Sequence, residues 1–170
     1  ARFLAPPSLL SALPPPPPPR CPPPAPPRRH VAIVHRQYLD LMLMGMKRCE
    51  GRLSRQRSMP FGVVAPGDLV HLKQASGPFR ALGTVGEVLT FAGLDAAGVG
   101  QLRESYGDEL CAGNDFWASK QSARYATLIR FASIKMDDQV PAGFERRPGS
   151  RAAWYVLPDA IDRPARSPAG

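Results

Sequence analysis

The sequence predicts an α+β domain in which short strands form a small β-barrel with two or three flanking helices. Two observations indicate this fold class. Predicted strands outnumber predicted helices, and the turns between them are spaced as in a small barrel. Aromatic and β-branched residues recur with mixed charge between residues 31 and 157. A segment of that length is sufficient for a single core, so we expect one folded domain over residues 31–157.

The predicted elements follow from local patterns in the sequence. In the first helix Tyr38, Leu39 and Met42 recur at three- and four-residue spacing, and the turn Pro66-Gly67-Asp68 opens a strand. Strands are expected at residues 30–35, 49–53, 69–73, 79–91, 126–134 and 153–157. Helices are expected at residues 36–44, at 95–106 before Gly107, and from a cap at Asn114 or Asp115 to residue 124.

The first 30 residues are predicted to be a disordered, proline-rich arm. They hold 13 of the 21 prolines, and each proline removes a backbone donor and fixes φ. The arm is a candidate ligand for a protein partner with aromatic grooves. Coding bias, an organelle transit segment and a wrongly assigned start remain open alternatives, and residues 158–170 are expected to form a disordered tail.

Charge and cysteine content limit the class of partner and the compartment. The net charge is +8, of which the arm contributes +4 and the folded domain the remaining +4, and a basic balance favours polyanionic partners. Cys21, Cys49 and Cys111 are widely spaced and odd in number, which predicts neither a disulfide framework nor a paired thiolate site. A reduced, cytoplasmic setting fits best. No apolar run has the length of a membrane span, so no membrane partner is expected.

Residues 45–52, GMKRCEGR, have the pattern G-x-K-x-x-E-x-R at a helix-to-strand junction. Glu50 and Arg52 are two residues apart on the predicted strand and therefore share one face. Lys47 lies just upstream and can reach the same face. Two cations beside one carboxylate suit a phosphate, while the carboxylate can accept from a base amine. The simpler alternative is a solvated surface pair that contributes little to stability.

With this motif, the helix before it and the Pro-Gly-Asp turn after it, the sequence resembles the ASCH domain family of the PUA-like superfamily. The resemblance covers residues 31–157. It implies a PUA-like barrel with a cleft lined by the motif residues Lys47, Glu50 and Arg52. It also implies binding of RNA or a nucleotide, because family members are thought to bind such ligands. No cofactor is implied.

Three further side chains are candidates for ligand binding. Arg55 and Arg57 extend the positive run and would track phosphates towards the cleft, although arginines in a loop also simply keep it soluble. Trp117, beside Phe116, would offer a stacking face to a base. The alternative is that the adjacent Phe and Trp plug one end of the barrel.

An enzymatic function remains an alternative to binding alone. Some relatives of the ASCH family act on RNA or hydrolyse an acylated cytidine such as N4-acetylcytidine. In an amidohydrolase or a ribonuclease of this kind, Lys47 and Glu50 would be the candidate catalytic residues. The hydrolytic relatives carry a nucleophilic threonine three positions after the motif lysine, where this chain has Glu50.

The three histidines do not predict a metal site. His30, His35 and His71 have no His-x-x-x-His or Cys-x-x-Cys partner. His35 and His71 alternate with apolar neighbours in predicted strands, which is typical of structural histidines whose ring nitrogens are hydrogen-bonded.

Overall fold

The computed structural model describes residues 25–159, so most of the predicted arm and tail lies outside the described residues. The strands are β1 (Arg29–Val34), β2 (Cys49–Ser54), β3 (Leu69–Gln74), β4 (Phe79–Ala92), β5 (Tyr125–Met136) and β6 (Trp154–Val156). The helices are α1 (Arg36–Leu43), α2 (Ala96–Leu110) and α3 (Asn114–Ser119). Between residues 25 and 159, no helix is both long enough and apolar enough to span a membrane.

The six described strands form one sheet in the order β2-β5-β4-β3-β1-β6. β1 and β3 are parallel, and the other neighbouring pairs are antiparallel. The long strands β4 and β5 change register near Val85, where bulges bend the sheet. The sheet therefore curls into a half-barrel whose edges are β2 and β6. The α+β prediction is confirmed, with the barrel left open between these edges.

Two helix boundaries differ from those predicted. α2 continues through Gly107 to Leu110, because burial of Leu102 and Leu110 outweighs the cost of a glycine in the helix. α3 ends at Ser119 rather than near residue 124, and Gly113, not Asn114 or Asp115, is its N-cap residue. The chain has already become extended at Arg124, whose backbone N–H donates to the Ser54 carbonyl at 2.9 Å.

Apolar side chains pack on both faces of the sheet. One cluster fills the inside of the half-barrel and includes Leu72, Ile129 and Trp154, with residues of α1. A second cluster lies under α2 and α3 and includes Cys49, Leu53 and Trp117. β2 alternates as predicted, with Cys49 and Leu53 in the second cluster. Its charged residues consequently face the inside of the half-barrel.

Asp68, in the Pro-Gly-Asp turn, ties the start of β1 to β3 and β6. Its Oδ1 accepts from the Arg28 backbone N–H at 2.8 Å, and its Oδ2 accepts from the Ala65 N–H at 2.9 Å. The same Oδ2 lies 2.9 Å from Nε2 of His30, whose Nδ1 lies 3.3 Å from Nε1 of Trp154. Since the indole N–H only donates, His30 carries its proton on Nε2. The folded part thus includes Arg28, within the predicted arm.

The structural role predicted for His35 is wrong, and that predicted for His71 is met in its position on a strand but not in its hydrogen bonding. His35 is exposed and precedes α1 rather than lying in a strand. His71 lies in β3, but its Nε2 is buried without a hydrogen-bond partner among the described residues. Burial lowers the pKa of His71 and favours the neutral ring. The satisfied structural histidine is therefore His30.

We expect Asp68→Asn to lower the free energy of unfolding by about 1–3 kcal/mol at neutral pH, because the amide leaves one of the three donors without an acceptor. Burial favours a higher pKa for Asp68, but hydrogen bonds from His30, Ala65 and Arg28 outweigh it and lower the pKa. The carboxylate therefore contributes stability above about pH 4, and this contribution is lost as the pH falls through the lower, folded-state pKa.

Urea unfolding of the parent and of Asp68→Asn at several pH values tests this expectation. The difference between the two proteins should shrink as the pH falls from about 5 to about 2. A difference that stays constant over this range would contradict an ionised, hydrogen-bonded Asp68.

Candidate functional site

The Arg52 side chain bridges the two edges of the half-barrel. From β2, its Nη2 donates to the Ile33 carbonyl of β1 at 2.9 Å. Its Nη1 lies 3.4 Å from the carbonyl of Ala153, the residue before β6. The guanidinium carbon is 5.6 Å from the ring centre of Trp154, within range of a cation–π interaction. One side chain thus joins strands that share no backbone pairing.

Glu50 and Lys47 lie behind Arg52 and are largely buried. Glu50 Oε1 is 3.0 Å from Arg52 Nη2, and its Oε2 is 3.8 Å from Lys47 Nζ. Lys47 Nζ donates to the carbonyls of Cys49 and Leu110 at 2.6 and 2.5 Å. Leu110 ends α2, where an ammonium group interacts favourably with the helix dipole.

Lys47 and Glu50, expected to line a cleft, are thus almost entirely enclosed by protein. The Lys47 side chain is 3% exposed and that of Glu50 is 9% exposed. The physical reason is that this face of β2 turns inwards, and Lys47 finds its acceptors at the end of a packed helix. Both residues hold the structure together behind the surface that a ligand would contact. Burial likewise raises the pKa of the neighbouring Cys49 thiol to about 11, so it stays protonated at neutral pH.

In front of Arg52 a cavity of about 420 Å³ opens between the two sheet edges, and we call it the Arg52 pocket. It contains three cationic side chains, those of Arg52, Lys120 and Arg151, and three aromatic rings. Among the described residues that line it there is no Asp or Glu. The pocket is lined by Arg52, Leu53, Ser54, Ser58, Met59, Phe61, Lys120, Tyr125, Arg151, Ala152, Ala153 and Trp154.

A larger depression of about 670 Å³ lies between α1 and α3, but its charges do not favour one kind of ligand. Its lining mixes both signs of charge, with the guanidinium of Arg36 and the carboxylates of Asp40 and Asp115. Asp40 is also engaged by Arg80, whose Nη1 lies 2.5 Å from its Oδ1. The Arg52 pocket is smaller and deeper, and its charges are all positive, so it is the better candidate for an anion site.

The remaining predicted site residues fall in different places. Arg57 lies over the rings of Phe61 and Tyr125, with its guanidinium carbon 5.3 and 5.7 Å from their centres. Arg55 lies nearby and donates from Nε to Ser122 Oγ at 2.7 Å. Trp117 is only 1% exposed and packs in the cluster under α2 and α3. It offers no stacking face in this structure, which corrects its prediction as a ligand-binding residue.

Sequence reasoning missed Lys120, Tyr125 and Arg151. Lys120 follows α3, Tyr125 begins β5 and Arg151 precedes β6. Each is an unremarkable residue in its local context, and only the sheet pairing brings them together. For Tyr125 that pairing is with Ser54, which lies on the same face of β2 as Arg52.

Comparisons with known proteins agree on the fold. No family model matches the sequence, and no curated protein matches it. Solved structures do match. A serine-to-alanine variant of an ASCH protein from Zymomonas mobilis gives a TM-score of 0.58 at 12% identity, covering 77% of this chain and 89% of that one. An ASCH structure from the same organism gives 0.54 at 14% identity, covering 77% and 88%.

A tyrosine-to-phenylalanine variant of the Zymomonas mobilis ASCH protein also matches, with a TM-score of 0.56 at 13% identity and coverage of 77% and 91%. The curled sheet with its three described helices is an α+β half-barrel like those of these ASCH structures. Within that class the chain has an ASCH-like fold. The fold thus agrees with the resemblance seen in residues 45–52.

We expect Arg52→Lys to lower the free energy of unfolding by about 1–3 kcal/mol although it keeps the positive charge. A lysine ammonium cannot reach both carbonyls and Glu50 with the planar fork of a guanidinium, and it leaves a buried carboxylate short of donors. Arg57→Lys is the matched control, because Arg57 is exposed and its loss should cost less than about 0.5 kcal/mol.

Chemical denaturation of the parent and the two variants measures these differences. Equal denaturation midpoints for Arg52→Lys and the parent would show that the bridge between the sheet edges contributes nothing measurable.

Proposed function

We propose that the chain is a binding module for RNA or a nucleotide and that the ligand enters the Arg52 pocket. The observation that carries the proposal is the composition of that pocket, which combines three cations and three aromatic rings without an acidic side chain. The cations would bind the phosphate groups of such a ligand, and the aromatic rings would stack against its bases. A volume of about 420 Å³ also lies within the usual range of small-ligand sites.

Lys120 and Arg151 would be the principal phosphate-binding side chains. Among the described residues, the Lys120 side chain makes no hydrogen bond or ion pair and has a cation–π contact, with Nζ 5.7 Å from the Phe116 ring centre. No hydrogen bond or ion pair of the Arg151 side chain occurs within residues 25–159. Their donors are therefore available to an anion, whereas those of Arg52 are mostly engaged by carbonyls and Glu50.

Phe61 and Tyr125 would supply the stacking surface. Their rings meet edge to face, with centres 5.2 Å apart and planes at 73°. Both are partly exposed and both line the pocket. Arg57 covers them and can be displaced by a base, because an exposed cation–π contact is worth only about 0.5–1 kcal/mol.

The surroundings of the pocket favour RNA over an isolated nucleotide. Arg55 and Arg57 are exposed on the loop that leads to Ser58 and Phe61 of the pocket, and they extend the positive surface beyond the cavity. Such a surface would bind further phosphates of a chain. We also expect a cytoplasmic setting, since Cys49 and Cys111 are both free thiols. A protein partner for the proline-rich arm remains an expectation from the sequence.

Lys120→Ala and Arg151→Ala should each weaken binding of a short single-stranded RNA by about 1 kcal/mol, or roughly fivefold, with stability unchanged. Lys135→Ala is the matched control, because Lys135 is exposed and lies towards the other end of β5. Fluorescence anisotropy at several salt concentrations measures both affinity and its salt slope. Each pocket variant should give a shallower slope than the parent. Equal losses in all three variants would place the RNA elsewhere.

The amidohydrolase alternative makes a different prediction. Nucleophilic hydrolysis needs a nucleophile beside a proton acceptor. Glu50 stands where the hydrolytic relatives place threonine, and Lys47 Nζ is occupied by two carbonyls in the interior. We therefore expect turnover of N4-acetylcytidine far below the roughly 1 per second at the low end of ordinary enzymes. Chromatography of the released cytidine measures it. Turnover at that rate that is lost in Lys120→Ala would overturn the binding proposal.

A further inference from the structure

Ser58 lies in an exposed, irregular loop at the mouth of the Arg52 pocket. Residues 55–59 are all exposed, and neither helix nor strand includes them. Ser58 itself lines the pocket. Arg55 stands three residues before it and Arg57 immediately before it. This charge pattern is the kind that protein kinases with acidic substrate grooves recognise.

Two other serines follow an arginine by three residues, but neither combines an irregular loop with a free hydroxyl. Ser133 follows Arg130 but lies within β5, where its backbone is paired with β4. Ser150 follows Arg147, but its Oγ lies 3.0 Å from the Tyr155 hydroxyl and 3.3 Å from the Ala152 N–H. Ser58 has no such side-chain hydrogen bond among the described residues. Its hydroxyl is free to enter a kinase active site.

We propose that Ser58 is a phosphorylation site whose phosphate group is held by the cations of the Arg52 pocket. The reaction is an ordinary kinase transfer. The Ser58 Oγ attacks the γ-phosphorus of ATP, the bond from that phosphorus to the bridging oxygen breaks, ADP leaves, and the hydroxyl proton passes to the kinase base. ATP is the only co-reactant.

The pocket already presents the partners that a phosphoserine needs. The new group carries a charge of about −1.5 to −2 and three acceptor oxygens. Lys120 and Arg151 line the same cavity, with donors not taken by other described side chains. Arg55 is held by a single exposed hydrogen bond, which is weak enough to be exchanged. The phosphate group on Ser58 would therefore occupy the pocket and neutralise its positive charge.

The consequence for binding rests on the proposed function. A tethered phosphate competes with a ligand phosphate for the same cations, and its effective concentration is in about the millimolar range or higher. Phosphorylation of Ser58 thus switches RNA binding off without unfolding the domain.

The first experiment tests the site itself and needs no ligand. The full chain is incubated with ATP and an arginine-directed protein kinase, and mass spectrometry locates the phosphate, with Ser58→Ala as the control for position. Phosphorus NMR then follows the titration of the phosphoserine in the folded and in the urea-unfolded protein. We expect its second pKa, about 6 when free, to be lower in the folded protein by about one unit. Combined Lys120→Ala and Arg151→Ala changes should reduce this difference.

No phosphate on Ser58, or the same pKa in the folded and unfolded protein, would overturn the inference. The second experiment compares RNA binding by the unmodified protein, the phosphorylated protein and the latter after phosphatase treatment. We expect affinity to fall at least about tenfold and then to recover. If the unmodified protein binds no RNA while the pKa is lowered, the proposed function fails and the phosphorylation site stands. If RNA binds equally well before and after phosphorylation, the switch is refuted and the binding function stands.

Discussion

The guanidinium of Arg52 is the contact on which the open half-barrel depends. β2 and β6 are the two edges of one sheet, and their backbones do not pair. Arg52 spans this gap by donating to the carbonyls of Ile33 in β1 and of Ala153 just before β6, two residues that are themselves hydrogen-bonded to each other. Its charge is balanced by Glu50. Leaving a buried carboxylate without its partner costs more than the pair itself contributes, so the three motif residues are held together as a unit.

This unit belongs to a longer chain of polar contacts across the interior. Asp68 hydrogen-bonds His30, and His30 accepts from the indole N–H of Trp154. The Trp154 ring in turn lies against Arg52, which pairs with Glu50. Beyond Glu50, Lys47 reaches the last turn of α2 at Leu110. The Pro-Gly-Asp turn and the G-x-K-x-x-E-x-R motif are therefore parts of one network.

The same arrangement explains how a structural motif also forms one wall of the proposed ligand site. Arg52 is 19% exposed, so its inner donors hold the sheet edges while its outer face forms a wall of the pocket. Lys120 and Arg151 do not hold strands together, so their side-chain donors are available to a ligand. The cations that stabilise the sheet edges are thus distinct from the outer cations to which we assign ligand binding.

Much of the secondary structure and the fold class could be predicted because those signals are local. Helical spacing identified α1, and alternation separated Cys49 and Leu53 from Glu50 and Arg52 on β2. Alternation does not say which face is inside. Only the pairing with β5 showed that the charged face is the inner one, since Glu50 is in register with Ile129, which belongs to the cluster inside the half-barrel. The sequence left open whether that face lines a cleft or is a solvated surface.

The ligand pocket depended still more on tertiary structure. Lys120, Tyr125 and Arg151 come from distant parts of the chain, and Trp117, attractive as a stacking residue, is enclosed by α2 and α3. The sequence by itself determined the spacing of apolar residues in the helices and strands, the turn at Asp68 and the residues of the motif. The tertiary structure decided which side of each strand is buried and which cations stay free, because burial depends on partners that no local pattern contains.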